Sequence, residues 1–527
     1  MSNTKLIGGR LVRWDDERAA EAYARGWWVP ETLADSLADA AQRTPQRVVL
    51  IDGEHEVDCR SLHEQATELA AVMLDRMPIG SVVSFMLPNW HEAAVIYLAA
   101  TLAGMVVNPI LPSLRDHELL FILGDANTRM IFVPAVFGRH DYAEMLARVV
   151  AQLADPPEVV VVRDGTPLPG ATPTIDLPRL DPDAVRMILY TSGTTGRPKG
   201  VLHSHNSVHA LITQLREHWQ LLPGDRFLVP SPIAHIGGSI YAFECPLLLG
   251  TSAVLMDRWD ADAAVELIGR RGCTHIAGAT PFLEQLLVAA ERAGTRLPAL
   301  KLFVCGGASV SPSLIRKAAG YFDRAAVTRV YGSTEVPVTT VGAPLDPDHA
   351  ADTDGRPGFA QVALRGSDGT GGEIHARGPQ MLVGYLHAAD AAQSFDDAGY
   401  FRTGDLARWV DDDFLLVTGR AKDIIIRNGE NIAPKEIEDI LIGHPGVAEI
   451  AIIGLPDART GERACAVVVP NDEPHPDVDS LRVFLQSHGV AIFKAPEQVV
   501  IWEALPRNDA GKVLKHRIQS ALTTTDG

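Results

Sequence analysis

Between Asp183 and Tyr331 short apolar segments alternate with amphipathic ones, and this alternation restricts the fold more than any other feature of the chain. Met187–Tyr190, Arg226–Val229, Thr251–Met256, Thr274–Gly278, Leu302–Cys305 and Val327–Tyr331 read as strands. Ser204–Gln220, Ala261–Arg271, Phe282–Arg292 and Pro312–Phe322 have helical spacing; in Ala261–Arg271, for example, Ala264, Leu267 and Ile268 share a face. Such a βαβα pattern predicts an α/β fold with mostly parallel sheets covered by helices. Ligands of these sheets bind at the carboxyl ends of the strands. After Gly419 the pattern changes. Pro434–Ile442 and Leu481–Gly489 read as helices, and Val447–Leu455, Ala464–Pro470 and Val499–Trp502 as strands. This predicts a small α+β unit, with the chain divided into residues 1–420 and 421–527. The 527 residues also exceed what one core of about 250–300 residues holds.

The formal net charge of −19 argues against non-specific nucleic-acid binding, which needs Lys and Arg to neutralise phosphates. It does not exclude a small anionic substrate in a locally basic pocket. Cys59, Cys245, Cys273, Cys305 and Cys465 have neither metal-site nor redox spacing, so buried, reduced thiols and a cytoplasmic location are expected. Met1–Asp16 has no apolar signal core, and the apolar run Ala93–Val107 is shorter than the ~18 residues of a membrane span. That run reads as a buried helix.

The strongest local signal is the run from Tyr190 to Gly200, containing Thr191, Ser192, Gly193, Thr194, Thr195, Gly196 and Lys199. Its glycines let backbone N–H groups approach an anion, its hydroxyls add donors, and Lys199 adds charge. Those groups suit a polyphosphate. The run is not the common P-loop: Pro198 stands where that motif has its second glycine, and Gly200 where it has Ser or Thr.

The loop closely resembles the phosphate loop of the adenylate-forming superfamily, which includes acyl-CoA synthetases, aryl-acid and amino-acid adenylating enzymes and luciferases. Further motifs follow in that superfamily's order: Tyr331-Gly332-Ser333-Thr334-Glu335, Gly372-Glu373-Ile374, Tyr400–Leu406, Gly419–Asp423, Asn428-Gly429-Glu430-Asn431-Ile432 and Leu505–Lys512. The resemblance covers nearly the whole chain. It is closest to CoA ligases of cyclohexanecarboxylate or medium-chain acids, and it implies a mobile C-terminal domain.

The resemblance also implies roles. Asp405 takes the two ribose hydroxyls of ATP, as an acceptor-only carboxylate can. Glu335 lies near Mg²⁺, which favours one or two carboxylates beside phosphate oxygens. Thr334 donates to the α-phosphate, Tyr331 stacks on adenine, and Gly306-Gly307-Ala308 lies against adenine and substrate. Arg420 contacts ribose and phosphate, Lys422 is the hinge, and Lys512 reaches the carboxylate and the α-phosphate. Asn508 departs from the usual pattern ahead of that lysine. His235, Ile236, Gly237 and Val336 belong to the acid pocket, and Gly429, Glu430 and Asn431 to the route of the thiol.

The implied reaction needs no protein nucleophile. A carboxylate attacks the α-phosphate of ATP, pyrophosphate leaves, and a thiol then displaces AMP from the acyl-adenylate. The protein's work is to position two anions and to stabilise charge on phosphorus. The stretch Trp14–Leu33 resembles both CoA ligases and aryl-acid enzymes that load a carrier protein. Aryl-acid enzymes place an Asn beside the pocket His, whereas this chain has Ala234 and Ile236. An apolar aliphatic or alicyclic acid and coenzyme A are therefore favoured. Carrier-protein loading, a luciferase-like oxygenase, a non-catalytic nucleotide or acyl-adenylate binder, and a homodimer all remain open.

Overall fold

The computed structural model describes residues 4–172, 176–191, 197–307, 310–366, 371–428, 430–457, 459–471, 475–508 and 511–525. Two seven-stranded sheets form most of the first 400 residues. In the first, Glu158–Val162, Thr128–Pro134, Val82–Phe85, Val106–Pro109 and Val185–Thr191 lie side by side and parallel. Lys199–Ser204 then joins antiparallel, followed by Gly384–Tyr385. In the second, Ala326–Val330, Leu302–Gly306, His275–Gly278, Arg226–Val229, Ser252–Leu255 and Val48–Asp52 are parallel. His55–Asp58 closes its edge antiparallel.

The expected strands and helices are present, and the segment from 183 to 331 serves both sheets. Its first strand folds back on Lys199–Ser204 and belongs to the first sheet; the later strands build the second. A single apolar cluster joins the two. It holds Val83 and Phe85 from one sheet, Val229 and Leu255 from the other, and most of the helix His91–Leu102. That helix is apolar on every side and buried from Ala93 to Leu102, as a helix packed inside a protein must be.

Ala93–Val107 is therefore not one helix. The helix stops at Leu102, Gly104 turns the chain at φ +68°, and Val106–Pro109 continues as a strand. A left-handed turn of this kind favours glycine.

A third, antiparallel sheet of Gln361–Arg365, Gly372–Arg377, Phe401–Val410 and Phe414–Arg420 was not anticipated. It docks on the second sheet through the segment around Asp354, whose carboxylate accepts from the Val417 amide at 2.8 Å. The close approach at this junction requires glycine: a Cβ on Gly355 would lie 2.3 Å from the Cα of Gly342.

The C-terminal unit has its own core. Helices Pro434–Leu441 and Val478–Ser487 pack on a sheet of Ile425–Arg427, Glu430–Ile432, Gly461–Pro470, Val447–Asp457 and Gln498–Ile501. This matches the expected α+β pattern, including its strand order along the chain. All five cysteines are free and buried. Among the described residues no helix is long and apolar enough to cross a membrane.

Candidate active site

Of the proposed nucleotide residues, Gly306 and Tyr331 of the second sheet and Asp405 and Arg420 of the third lie where these sheets meet the C-terminal unit. Gly306 ends one strand and Tyr331 follows the next, so both stand at strand carboxyl ends. A Cβ at Gly306 would press within 2.9 Å of Val330 Cγ2, so only glycine fits between these strands. Gly307 turns at φ +80°. The Tyr331–Glu335 turn folds tightly on the chain behind it: a Cβ at Gly332 would sit 2.6 Å from the Val338 amide nitrogen. Tyr331 N donates to Thr340 Oγ1 at 2.8 Å, and Ser333 Oγ accepts from the Val336 amide at 3.2 Å.

Asp405 is the hub. Its two carboxylate oxygens accept from the Tyr331 hydroxyl and from Arg420 Nε, each at 2.8 Å. Asp405 lies inside the strand Phe401–Val410, paired in register with Arg420. Gly404, at φ +73°, disturbs the strand just before it and lets its amide donate to Glu373. Burial pushes the Tyr331 phenol well up, so it stays a neutral donor to Asp405.

Lys512 faces this hub from the C-terminal unit. Asn508 clamps its backbone twice: the Asn508 side-chain oxygen accepts from Lys512 N at 2.8 Å, and Asn508 N donates to Lys512 O at 2.9 Å. The sequence marked Asn508 only as a departure; here it shapes the lysine turn. The turn rests on the large domain, where a Cβ at Gly511 would meet Ala279 Cβ at 3.4 Å. Burial and then Arg420 push the Lys512 amine down to about 8, against the opposing pull of Asp405 and Asp423.

Thr334 and Glu335 are held by residues that no motif flagged. His203 Nε2 donates to the Thr334 carbonyl at 2.8 Å. Burial pushes that imidazole down to about 4, which keeps it neutral. Tyr385 donates its hydroxyl to Glu335 Oε1 at 3.1 Å, and the Glu335 carbonyl accepts from Leu382 N at 2.7 Å. Among the described residues Glu335 has no cationic partner, and it is half-buried. A lone carboxylate of this kind has the chemistry of the single protein ligand that Mg²⁺ takes beside phosphate oxygens.

Thr191 and Lys199 pair at the base of the hairpin formed by the strands Val185–Thr191 and Lys199–Ser204. Ser192, Gly193, Thr194, Thr195 and Gly196 lie outside the described residues, as do Ala308 and Gly429. Lys199 Nζ sits 5.5 Å from the Tyr385 ring centre. The hairpin base is fastened by Arg197 to Asp390 at 2.8 Å, and by Tyr190 and His387 to Asp125, each at 2.8 Å.

His235 caps the short helix Ile236–Ser239, and its Nε2 is buried with no hydrogen-bond partner among the described residues. Burial lowers its pKa and keeps the ring neutral. Asn89 fixes the preceding loop by donating to the Val229 and Ser231 carbonyls at 3.0 and 2.9 Å. Ile236 is part-buried against the large core and Gly237 is exposed. Val336 does not share that core: it is fully buried with Val201, Tyr385 and Phe401, while Val338 packs on the same core as Ile236. Lys422 is exposed in the turn Ala421–Asp423, and Glu430 and Asn431 are exposed on a strand of the C-terminal unit.

The Tyr385–Glu335 bond yields a prediction. In Tyr385→Phe the carboxylate loses its only described donor; with Glu335 as the proposed Mg²⁺ ligand, the Mg²⁺ needed for half-maximal ATP–pyrophosphate exchange should rise about five- to tenfold. The rate at saturating Mg²⁺ should change little. A Mg²⁺ titration of both proteins checks this.

Comparison with known proteins shows the family of the chain. The AMP-binding enzyme model matches residues 37–386, and that of the AMP-binding enzyme C-terminal domain matches 436–512. A medium-chain fatty-acid–CoA ligase of Escherichia coli (strain K12) is 32% identical, over 99% of this chain and 95% of its own. A salicyl-AMP ligase / salicyl-S-ArCP synthetase of Mycobacterium tuberculosis is also 32% identical, over 98% and 96%. The crystal structure of ATP-bound MatB from Rhodopseudomonas palustris superimposes with a TM-score of 0.84 at 27% identity, covering 94% of this chain and 100% of that one. With both its large and its C-terminal unit matched, the chain belongs to the AMP-binding enzyme family, whose members form adenylates.

Proposed function

We propose that this AMP-forming acid–thiol ligase activates an apolar aliphatic or alicyclic acid and hands its acyl group to coenzyme A. The observation that carries the reading is the placement of Lys512 against the Asp405–Arg420–Tyr331 hub at the carboxyl ends of the strands. Asp405 would hold the ribose, fixing the α-phosphate within reach of Thr334 and Lys512. The ammonium of Lys512 would offset the repulsion between substrate carboxylate and triphosphate. It would also stabilise charge on the phosphorus as the carboxylate attacks and pyrophosphate leaves. Mg²⁺, held by Glu335, would supply neutralisation of the phosphate oxygens.

The acid's place is argued from His235 and its neighbours. The buried, neutral His235 Nε2 has no described partner, and Ile236 and Val338 offer apolar surface. A ring hydroxyl would find no amide beside His235, which favours an apolar acid over a hydroxylated aryl acid. Once the adenylate forms, Lys512 must withdraw. Residues 421–527 would turn about Lys422 and bring Gly429, Glu430 and Asn431 toward the thiol, as the unit of residues 1–420 keeps the adenylate.

A basic cleft favours coenzyme A over a carrier protein as the thiol. A cavity of about 580 Å³ opens at the carboxyl ends of strands from both sheets, beside Pro230 and Pro232 of the His235 loop. Arg115, Arg139 and Arg258 line it, with the Arg258 guanidinium 4.4 Å from the centre of the Phe137 ring. Three arginines and an aromatic face suit a phosphorylated nucleotide.

The test is incubation with Mg-ATP and a panel of alicyclic, fatty and aryl acids, with and without coenzyme A, and mass spectrometry of the products. Acyl-CoA and AMP from alicyclic or fatty acids are expected. Acyl-adenylate that accumulates without a CoA ester would favour carrier-protein loading. With coenzyme A as thiol, Arg139→Ala/Arg258→Ala should raise KM for coenzyme A about tenfold while KM for pantetheine stays put, since pantetheine lacks the phosphates.

The lysine gives a pH dependence. Its charged form is the active one, and that form is lost as pH rises through about 8, well below the ordinary lysine range. The kcat/KM for adenylation should therefore fall above about pH 8. In Lys512→Arg, whose cation persists, the residual rate should stay flat to about pH 10, as a guanidinium titrates only above ~12.

A further inference from the structure

The Gly372-Glu373-Ile374 motif faces Asp405 across the third sheet. Its strand, Gly372–Arg377, pairs with Phe401–Val410, and the ladder between them breaks beside Asp405. Glu373 pairs with Leu406 and His375 with Arg402, so Thr403, Gly404 and Asp405 stand opposite Ile374 alone. Extra residues on one strand of a pair form a bulge, which re-aims a side chain and deprives backbone groups of their ladder partners.

Side chains take up the groups that this bulge frees. Glu373 Oε1 accepts from the Gly404 amide at 3.2 Å. Thr403 Oγ1 accepts from the Asp405 amide at 3.1 Å and donates to the Ile374 carbonyl at 2.8 Å. Backbone groups away from water must be paired, so these bonds decide where the bulge comes to rest. Gly404 has no side chain that could fix the bulge from within, and that task falls to the acceptor of its amide.

Glu373 is itself braced. His375, two residues on and on the same face of the strand, is 6% exposed. Its Nε2 faces Glu373 Oε1 at 3.8 Å, and its Nδ1 donates to Asp396 Oδ2 at 2.8 Å. Asp396 Oδ1 accepts from the Ala398 and Tyr400 amides at 3.0 and 2.9 Å, which closes the turn that leads into Phe401–Val410. Burial works against the charge of Asp396, but His375 and these amides outweigh it and hold the carboxyl below its usual range. Asp396 thus stays an acceptor and fixes the ring. Glu373 cannot swing away from Gly404 without leaving His375.

We propose that Glu373 is a positioning residue for the nucleotide: braced by His375 and Asp396, it sets the Gly404 bulge and thereby the carboxylate of Asp405 against the ribose. This rests on the reading of Asp405 as the ribose acceptor. Glu373 acts on the nucleotide only through Gly404 and Asp405. A carboxylate that takes two hydroxyls at once needs a fixed place, because hydrogen bonds weaken steeply as their geometry is lost.

The test compares ATP with 2′-deoxy-ATP in ATP–pyrophosphate exchange by the full chain. The native KM for 2′-deoxy-ATP should be about tenfold that for ATP, as expected when a hydrogen bond to a carboxylate is lost. Asp405→Ala should abolish this discrimination. In Glu373→Ala, where the Gly404 amide loses its acceptor, the ratio of KM values should fall to about three or less. Glu373→Gln keeps an acceptor oxygen and should restore most of it. His375→Phe, which loosens Glu373 without removing it, should also lower the ratio, and it carries the test if Glu373→Ala does not fold. Combined with Glu373→Ala it should add nothing, since it acts through Glu373.

A native ratio kept in Glu373→Ala and His375→Phe, but lost in Asp405→Ala, overturns this inference alone. An equal rise of both KM values, or a lowered Tm with the ratio unmoved, marks a merely structural role and overturns it too. Equal KM values in the native protein overturn the ribose reading of Asp405, and this inference with it.

Discussion

The carboxylate of Asp405, shared between the Tyr331 hydroxyl and Arg420 Nε, is the contact on which the active arrangement depends. It joins three pieces of chain that are far apart in sequence. Tyr331 comes from the carboxyl end of the second sheet, Asp405 and Arg420 from facing strands of the third, and Lys512 arrives from the C-terminal unit. A buried carboxylate must be hydrogen-bonded or paired, and this one is both. Its donors are already in place, so in the proposed reaction the site is organised before any ligand arrives, as charge stabilisation at phosphorus would require.

The same contact explains why the C-terminal unit sits where it does. Arg420 ends the last strand of the large unit, and the chain leaves through the exposed turn that holds Lys422. Asn508 and Gly511 then present Lys512 against Ala279 and Pro281. The amine is brought into a place where burial and Arg420 disfavour its charge. A bound triphosphate and carboxylate would reverse that balance. In the proposed reaction this makes Lys512 a group whose charge is stabilised by the substrates it serves, and whose departure is eased once pyrophosphate has gone.

Much of this was legible in the sequence because its signals are local. Strand and helix periods, the glycine-rich run and the ordered motifs marked the residues proposed for the nucleotide and the change of pattern after Gly419. What escaped is long-range. His203 and Tyr385 reach Thr334 and Glu335 across 131 and 50 residues, and Asn89 reaches the chain before His235 across 140 and 142; none sits in a recognisable motif. The third sheet escaped because its strands mix charged and small residues, as in Gly372–Arg377, and show little alternation. Val336 read as pocket because it follows Glu335. The tight turn required by Gly332 instead sends it into the core with Phe401, while Val338 packs on the same large apolar cluster as Ile236. The Arg186–Glu244 pair could not be foreseen, since each residue lies in an otherwise apolar stretch and only the fold brings them together.

The most direct measurement is a crystal structure of the full chain with a non-hydrolysable ATP analogue and Mg²⁺. The ribose hydroxyls should lie within hydrogen-bond distance of Asp405, the α-phosphate beside Thr334 and Lys512, and the metal on Glu335. A nucleotide seated elsewhere, with the Tyr331–Asp405–Arg420 contacts undisturbed and Lys512 far from any phosphate, would contradict the assignment of this hub as the adenylation centre.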